Sequence, residues 1–239
     1  MAYNTNLGGN NAKFHDMMSV NGFGIVTVMN ADIYEALTAE EYASKTAYQI
    51  VKAAEALKTS KDAKYICTLD TLKVANVTEE GPTKTITGGR YSNPLIKFGK
   101  SARLEMQDAL GNAQAIEALC GGVQEWNETT IEGEGDEPST VTKELVGLHF
   151  GEDFVGPKMI IGDTFFMDRK SGQQVKVKVV FYQFLPDSIF NLTQDAEGDA
   201  TVFDMNGDLL TTEIKVANAQ DGVHGLFYSI VDPSHNPLQ

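Results

Sequence analysis

The sequence predicts a mainly-β fold, sandwich- or barrel-like, with one flanking helix and one shorter helix. Three observations carry that expectation: runs in which apolar residues alternate with polar ones, a single long stretch with helical spacing, and Gly/Pro-rich punctuation between the runs. The strongest run, Gln173 to Leu185, sets Val175, Val177, Val179 and Phe181 on one face and Lys176 and Lys178 on the other. A period of two is what a strand with one dry face requires.

Taken in order, the first 22 residues are rich in Asn and Gly and poor in apolar side chains, so they read as an N-terminal arm that orders on a partner. Residues 23–239 read as one β-rich domain. A short apolar strand runs from Phe23 to Met29. The clearest helix spans about 38–58: Thr38-Ala39-Glu40-Glu41 has the spacing of a capping box. Ala43, Ala47, Ile50, Ala54 and Leu57 then recur at steps of four and three, which makes one buried stripe. From Tyr65 onward the period changes to two. Leu72, Val74 and Val77 form one strand, and Ile96, Phe98, Ala102, Leu104 and Met106 form a second, alternating with Lys97, Ser101, Arg103 and Glu105.

A short helix follows at about Gly111 to Leu119, with Asp108 near its start and Gly121-Gly122 to end it. Strands return at Val141 to Phe150 and Lys158 to Asp168. Shorter candidates lie at Asp199 to Leu210, Ile214 to Val216 and Leu226 to Val231.

A chain of 239 residues with 42% hydrophobic content can bury a real core. Its 19 Lys plus Arg against 33 Asp plus Glu give a net charge of −14, which opposes stable binding to nucleic acid or an anionic membrane. Eleven of those acids sit in two base-free stretches, Glu125 to Glu137 and Asp195 to Asp208, and both stretches read as solvated acidic loops. The N-terminus lacks a basic region followed by an apolar one, so no secretory signal is read there, and no apolar run reaches the length of a membrane span. Cys67 and Cys120, the two cysteines, each lie beside apolar residues and read as small buried hydrophobes rather than as a disulfide.

No catalytic residue, cofactor site or metal site emerges. The four histidines, His15, His149, His224 and His235, form no zinc spacing, and no nucleophile elbow, P-loop or Rossmann glycine pattern is present. Asp204-Met205-Asn206-Gly207-Asp208 with Glu213 misses the EF-hand register by two positions. A hairpin turn at Asn206-Gly207 explains those residues more simply. The expectation is a protein that is not an enzyme.

The connection at about 79–93, from Glu79 to Asn93, is too long for an ordinary hairpin. Thr83, Thr85 and Thr87 alternate with Lys84 and Ile86, while Gly81-Pro82 and Gly88-Gly89 mark joints at either end. An isolated two-stranded projection is marginal in water. The segment therefore reads as an arm that orders against a neighbouring subunit through Glu79, Glu80, Thr83, Lys84, Thr85, Ile86 and Thr87, with Arg90-Tyr91 as its anchor.

The stretch Thr71 to Gly111, TLKVANVTEEGPTKTITGGRYSNPLIKFGKSARLEMQDALG, resembles the major tail tube proteins of long-tailed bacteriophages infecting Gram-positive bacteria. A second stretch, Val175 to Asp204, also looks like the later part of such proteins. The resemblance implies a virion structural protein, made in the host bacterial cytoplasm and located in the phage tail. It implies subunits that join edge to edge into hexameric rings, and rings that stack into a hollow tube. Its partners would be further copies of the chain, a tape measure protein, and the tail terminator and distal tail proteins. DNA would pass during genome ejection without stable binding, and no membrane is involved. The N-terminal arm and the 38–58 helix fall outside that pattern. Two other readings fit the same residues: a soluble ligand-binding β-sandwich module, and a capsid-decorating or tail-adaptor protein.

Overall fold

A computed structural model describes residues 17–19, 24–30, 46–62, 65–70, 72–81, 83–85, 95–97, 99–108, 112–131, 140–168, 174–189, 203–214 and 223–234. Strands dominate, with one longer and one shorter helix. In chain order the elements are β1 (Met17–Ser19), β2 (Ile25–Asn30), α1 (Ala47–Ser60), β3 (Tyr65–Leu69), β4 (Leu72–Glu80), β5 (Thr83–Thr85), β6 (Leu95–Lys97), β7 (Ser101–Asp108) and α2 (Ala113–Cys120). There follow β8 (Gly122–Ile131), β9 (Thr140–Phe150), β10 (Lys158–Asp168), β11 (Gln174–Pro186), β12 (Phe203–Leu209), β13 (Thr212–Ile214), β14 (Val223–Leu226) and β15 (Tyr228–Val231).

Nine strands form one antiparallel sheet whose main path is β3-β2-β10-β11-β12-β7-β4. The valine-rich β11 is its central element. One edge of β11 pairs with β10 from Gln174 to Phe184, while the other is shared between β15 at Lys178–Phe181 and β12 at Phe184–Pro186. β10 divides its second edge in the same way, between β2 at Lys158–Asp163 and β1 at Phe166–Asp168. Part of the expected N-terminal arm, Met17–Ser19, thus pairs with the chain's own sheet. Residues 1–16 and 20–22 lie outside the described residues.

Successive residues of β2, β10 and β11 point to opposite sides, and both sides are dry over the middle of the sheet. Val26, Val28, Ile160, Val179 and Phe181 join Leu104, Met106, Met205 and Leu209 in one core, although β2 and β7 are far apart in the strand order. The sheet therefore curls over this core, and Ala115, Ile116, Ala118 and Leu119 of α2 pack into it. Met29, Met159, Ile161, Val180 and Tyr182 face the other way, beneath Ile50, Val51 and Ala54 of α1. The alternation of Val and Lys in β11 implied a single dry face; Val180 and Tyr182 on the opposite face are buried because α1 lies across it.

The helical stripe Ala47, Ile50, Ala54 and Leu57 packs as the spacing requires. Its start differs from the sequence expectation. Thr46 is extended (φ −79°, ψ 158°), so no helix runs unbroken from Thr38 through it. A second capping box sets the boundary: the Gln49 N–H donates to Thr46 Oγ1 at 3.4 Å and the Thr46 N–H donates to Gln49 Oε1 at 2.9 Å. Thr38 and Glu41 lie outside the described residues. For α2, Asn112 rather than Asp108 is the cap, accepting from the Gln114 N–H at 2.9 Å. Gly121 ends that helix at φ 77°, where a Cβ would stand 2.9 Å from the Asp153 carbonyl oxygen.

Two further corrections concern the acidic stretches. Glu125 and Glu128 lie on β8, not in a linker, because Gly122 to Ile131 pairs along its length with β9. Asn206-Gly207 forms no turn but lies inside β12, opposite Glu105 and Leu104 of β7. Gly207 is required there by close approach, since a Cβ would collide with the Leu185 carbonyl oxygen and sit 2.7 Å from Pro186 Cα. Glu132, Glu134, Asp136, Glu137, Asp195, Glu197 and Asp199 lie outside the described residues.

Candidate assembly surfaces

Among the described residues three two-stranded antiparallel ladders lie outside the nine-stranded sheet, β5–β6, β8–β9 and β13–β14, and the first two bear on assembly. The first belongs to the arm expected at about 79–93. β4 and β7 pair from Leu72↔Asp108 to Glu80↔Ser101. Beyond Gly81 and Gly99-Lys100 the two chains pair again as β5 and β6, with Thr83↔Lys97, Lys84↔Ile96 and Thr85↔Leu95 in register. The strand expected to run unbroken from Ile96 to Met106 is therefore two strands. Ile86, Thr87, Arg90 and Tyr91 lie outside the described residues.

The base of this arm is tied to its own subunit. Glu79 accepts from the Tyr228 hydroxyl at 2.9 Å and forms an ion pair with Lys100 at 3.2 Å. Those bonds, Tyr228 first, hold the Glu79 carboxyl below the usual carboxylate range. Glu79 thus works within the subunit, while Thr83, Lys84 and Thr85 lie on the separate β5–β6 ladder.

The second ladder, β8–β9, was not expected from the sequence. It runs from Gly122↔Phe150 to Ile131↔Thr140, with an irregularity between Glu125 and Trp126. Its root rests on the body: Leu148 packs against the main core, and the Gln124 amide donates to Glu117 of α2 at 2.6 Å. Away from the root nearly every side chain is exposed. Register divides them by chemistry. Trp126, Leu145 and Phe150 share one face with the paired Glu128 and Lys143. The other face carries exposed Val123 opposite His149, Glu125 beside His149 at 2.7 Å, then Asn127 with Glu144 and Thr129 with Thr142. The density of acids in β8 hid this alternation. The usable signal was two strand-like flanks of similar length around Gly133-Glu134-Gly135-Asp136-Glu137-Pro138.

The cations expected on strand faces are largely consumed inside the subunit. Lys178 reaches Asp163 at 2.6 Å and Glu55 of α1 at 3.4 Å, and Lys176 reaches Asp163 at 2.8 Å. Burial works to raise the Asp163 carboxyl, but the bonds from Lys176 and Lys178 outweigh it and hold it below the usual range. Arg103 of β7 is clamped between Asp187 and Asp208, the latter at 3.1 Å.

Both thiols are free and buried within one core. Burial, with the nearby Asp108 charge, pushes Cys67 up to about 12, and burial pushes Cys120 up to about 11. Among the described residues no group of three or more His, Cys, Asp and Glu is placed to hold a metal ion. No helix among them is long and apolar enough to cross a membrane. Asp204, from the failed EF-hand pattern, accepts from the Gln107 amide at 2.9 Å instead. No protein-family model matches the chain, and no curated protein sequence matches it.

Proposed function

We propose that this chain is a virion structural subunit that assembles with copies of itself into hexameric rings, which stack into the hollow tail tube of a long-tailed bacteriophage. The bore houses the tape measure protein and later passes the genome, and the tube ends meet the tail terminator and distal tail proteins. The protein is structural, not an enzyme.

The observation that carries this reading is the pair of ladders, β5–β6 and β8–β9, that leave the sheet. A two-stranded ribbon is marginal alone, so such extensions are stabilised by what they meet. Charge supports the same conclusion. A chain at −14 whose Arg103, Lys176 and Lys178 are already paired offers sliding phosphates little to hold them. The resemblance of Thr71 to Gly111 to tail tube proteins supplies the ring and the tube.

The test is negative-stain microscopy of the concentrated protein. Hollow filaments of uniform width are the expected result. Discrete closed rings would favour an adaptor, and monodisperse small particles a binding module; either outcome refutes the tube.

A further inference from the structure

We propose that the apolar face of the β8–β9 ribbon is a docking surface for a second copy of this chain. The inference rests on the self-assembly reading and names a contact for it.

Four large apolar side chains lie exposed on one face of this ribbon by register: Trp126 (46%), Val141, Leu145 and Phe150. They do not alternate into a core, since the ribbon beyond its root has none. The opposite face is mainly polar, from the Glu125–His149 pair through Asn127 and Glu144 to Thr129 and Thr142, with Val123 exposed at its root. A face on which four large apolar side chains are exposed side by side is built to be covered.

Charge selects the occupant. Two copies of a chain at −14 repel each other over most of their surfaces. The charges on the apolar face, Glu128 and Lys143, are one acid and one base, already bonded to each other. That face is locally neutral and matches itself: a second ribbon laid against it meets apolar residues with apolar residues and can exchange ion-pair partners. A strongly acidic or basic partner finds no complementary field there.

Area sets how the contact behaves. Ten residues at about 3.3 Å each, two strands wide, offer roughly 330 Å² per copy. A free-standing pair needs about 1,200 Å² in total. The ribbon contact is therefore too small to hold a dimer alone and forms together with other contacts, as one joint in a polymer.

Trp126 is the only tryptophan and lies on this face, so its emission reports whether the face is covered. Emission and light scattering are followed together while the full chain is concentrated. The expected result is a shift to shorter wavelength that tracks the rise in scattering. In the double variant Val141→Glu, Leu145→Glu, the concentration needed for the shift should rise about tenfold or more. Both positions are exposed, and circular dichroism and the urea midpoint of the dilute variant check that the monomer is intact. Scattering that rises with no change in emission overturns the ribbon contact and leaves self-assembly standing. No scattering at any concentration overturns both. Emission already at short wavelength in dilute protein means that the chain covers its own ribbon, which also sinks the proposal.

Discussion

The Tyr228 hydroxyl donates a 2.9 Å hydrogen bond to Glu79 Oε1, joining residues 149 apart in sequence and linking β15 to β4, the last strand on the sheet path. Tyr228 also leans on Phe181 of β11, ring centroids 5.8 Å apart, so one side chain connects the core to the root of the arm.

Tyr228→Phe keeps the ring contact and removes the bond. Because Glu79 is well hydrated, the expected loss is only about 0.5 kcal/mol. Its pH dependence is the sharper test. Glu79 is held low by Tyr228 and Lys100, so its contribution is present above about pH 4.3 and fades as pH falls through its folded value. Tyr228 is held high by burial and by Glu79, so its contribution is present below about pH 10 and fades as pH rises further. Urea midpoints of parent and variant should differ by a constant amount at mid-range pH and converge at both extremes. A gap that persists at either extreme contradicts this account.

Gly207→Ala should be among the most damaging single-methyl changes in the chain. The added Cβ meets the Leu185 carbonyl oxygen, Pro186 Cα and, at 2.8 Å, Phe184 Cε2, where Gly207 pairs with Pro186 at the end of the β11–β12 ladder. Two of those neighbours are backbone and cannot rotate away, so a loss of about 2–4 kcal/mol is expected. Thermal denaturation reads it directly. An unchanged Tm would mean that the end of the β11–β12 ladder is looser than this geometry.

Asp163→Asn removes the carboxylate that Lys176 and Lys178 share and leaves Lys178, whose side chain is 12% exposed, with Glu55 alone. A partly buried lysine losing its main partner should cost about 1–2 kcal/mol, between the surface and buried limits. In the parent, Asp163 is held low, so this stability is present above about pH 3.9 and lost as pH falls through the folded value. Equal stability of parent and variant at neutral pH would show that the cluster contributes nothing net.

Neither Cys67 nor Cys120 should react with a thiol reagent at pH 8 while the protein is folded, since both thiols titrate far above that pH. Two thiols should appear on unfolding in guanidinium. Cys67→Ala and Cys120→Ala should leave assembly intact in reducing and non-reducing buffer alike. Assembly of the parent that depends on oxidising conditions would reveal a disulfide-linked form.

Replacing Thr83 to Arg90 with a short Gly-Ser turn removes β5 and leaves every described residue of the two cores in place. The monomer should still unfold cooperatively, while polymerisation fails. In the parent, moderate salt should promote polymerisation by screening the repulsion between acidic subunits. Normal tubes from the variant would dismiss the arm as a required contact. A polymer yield that salt leaves unchanged or lowers would mean that charge repulsion is not limiting.

The sequence by itself determined what depends on near neighbours along the chain. The strand signal at Lys158–Asp168 became β10 and the period-two run Gln173–Leu185 became β11, because alternation is a local consequence of the pleat. The stripe from Ala47 to Leu57 became the buried face of α1, and Gly121 ended α2, for equally local reasons. Tertiary structure alone decided the rest. Thr38 and Thr46 both head a capping pattern, and the extended Thr46 fixes where α1 begins. Asn206-Gly207 has the composition of a turn, yet its glycine is spent on the close backbone pairing with Leu185 and Pro186, which no local rule anticipates. The β8–β9 ribbon was obscured for the same reason. Acidic residues in sequence look like a solvated loop, and only pairing with a strand many residues later reveals that one side of them is apolar. Whether a polar or charged residue lies in a loop, a ladder or an ion pair depends on what the folded chain brings opposite it, and that information is non-local.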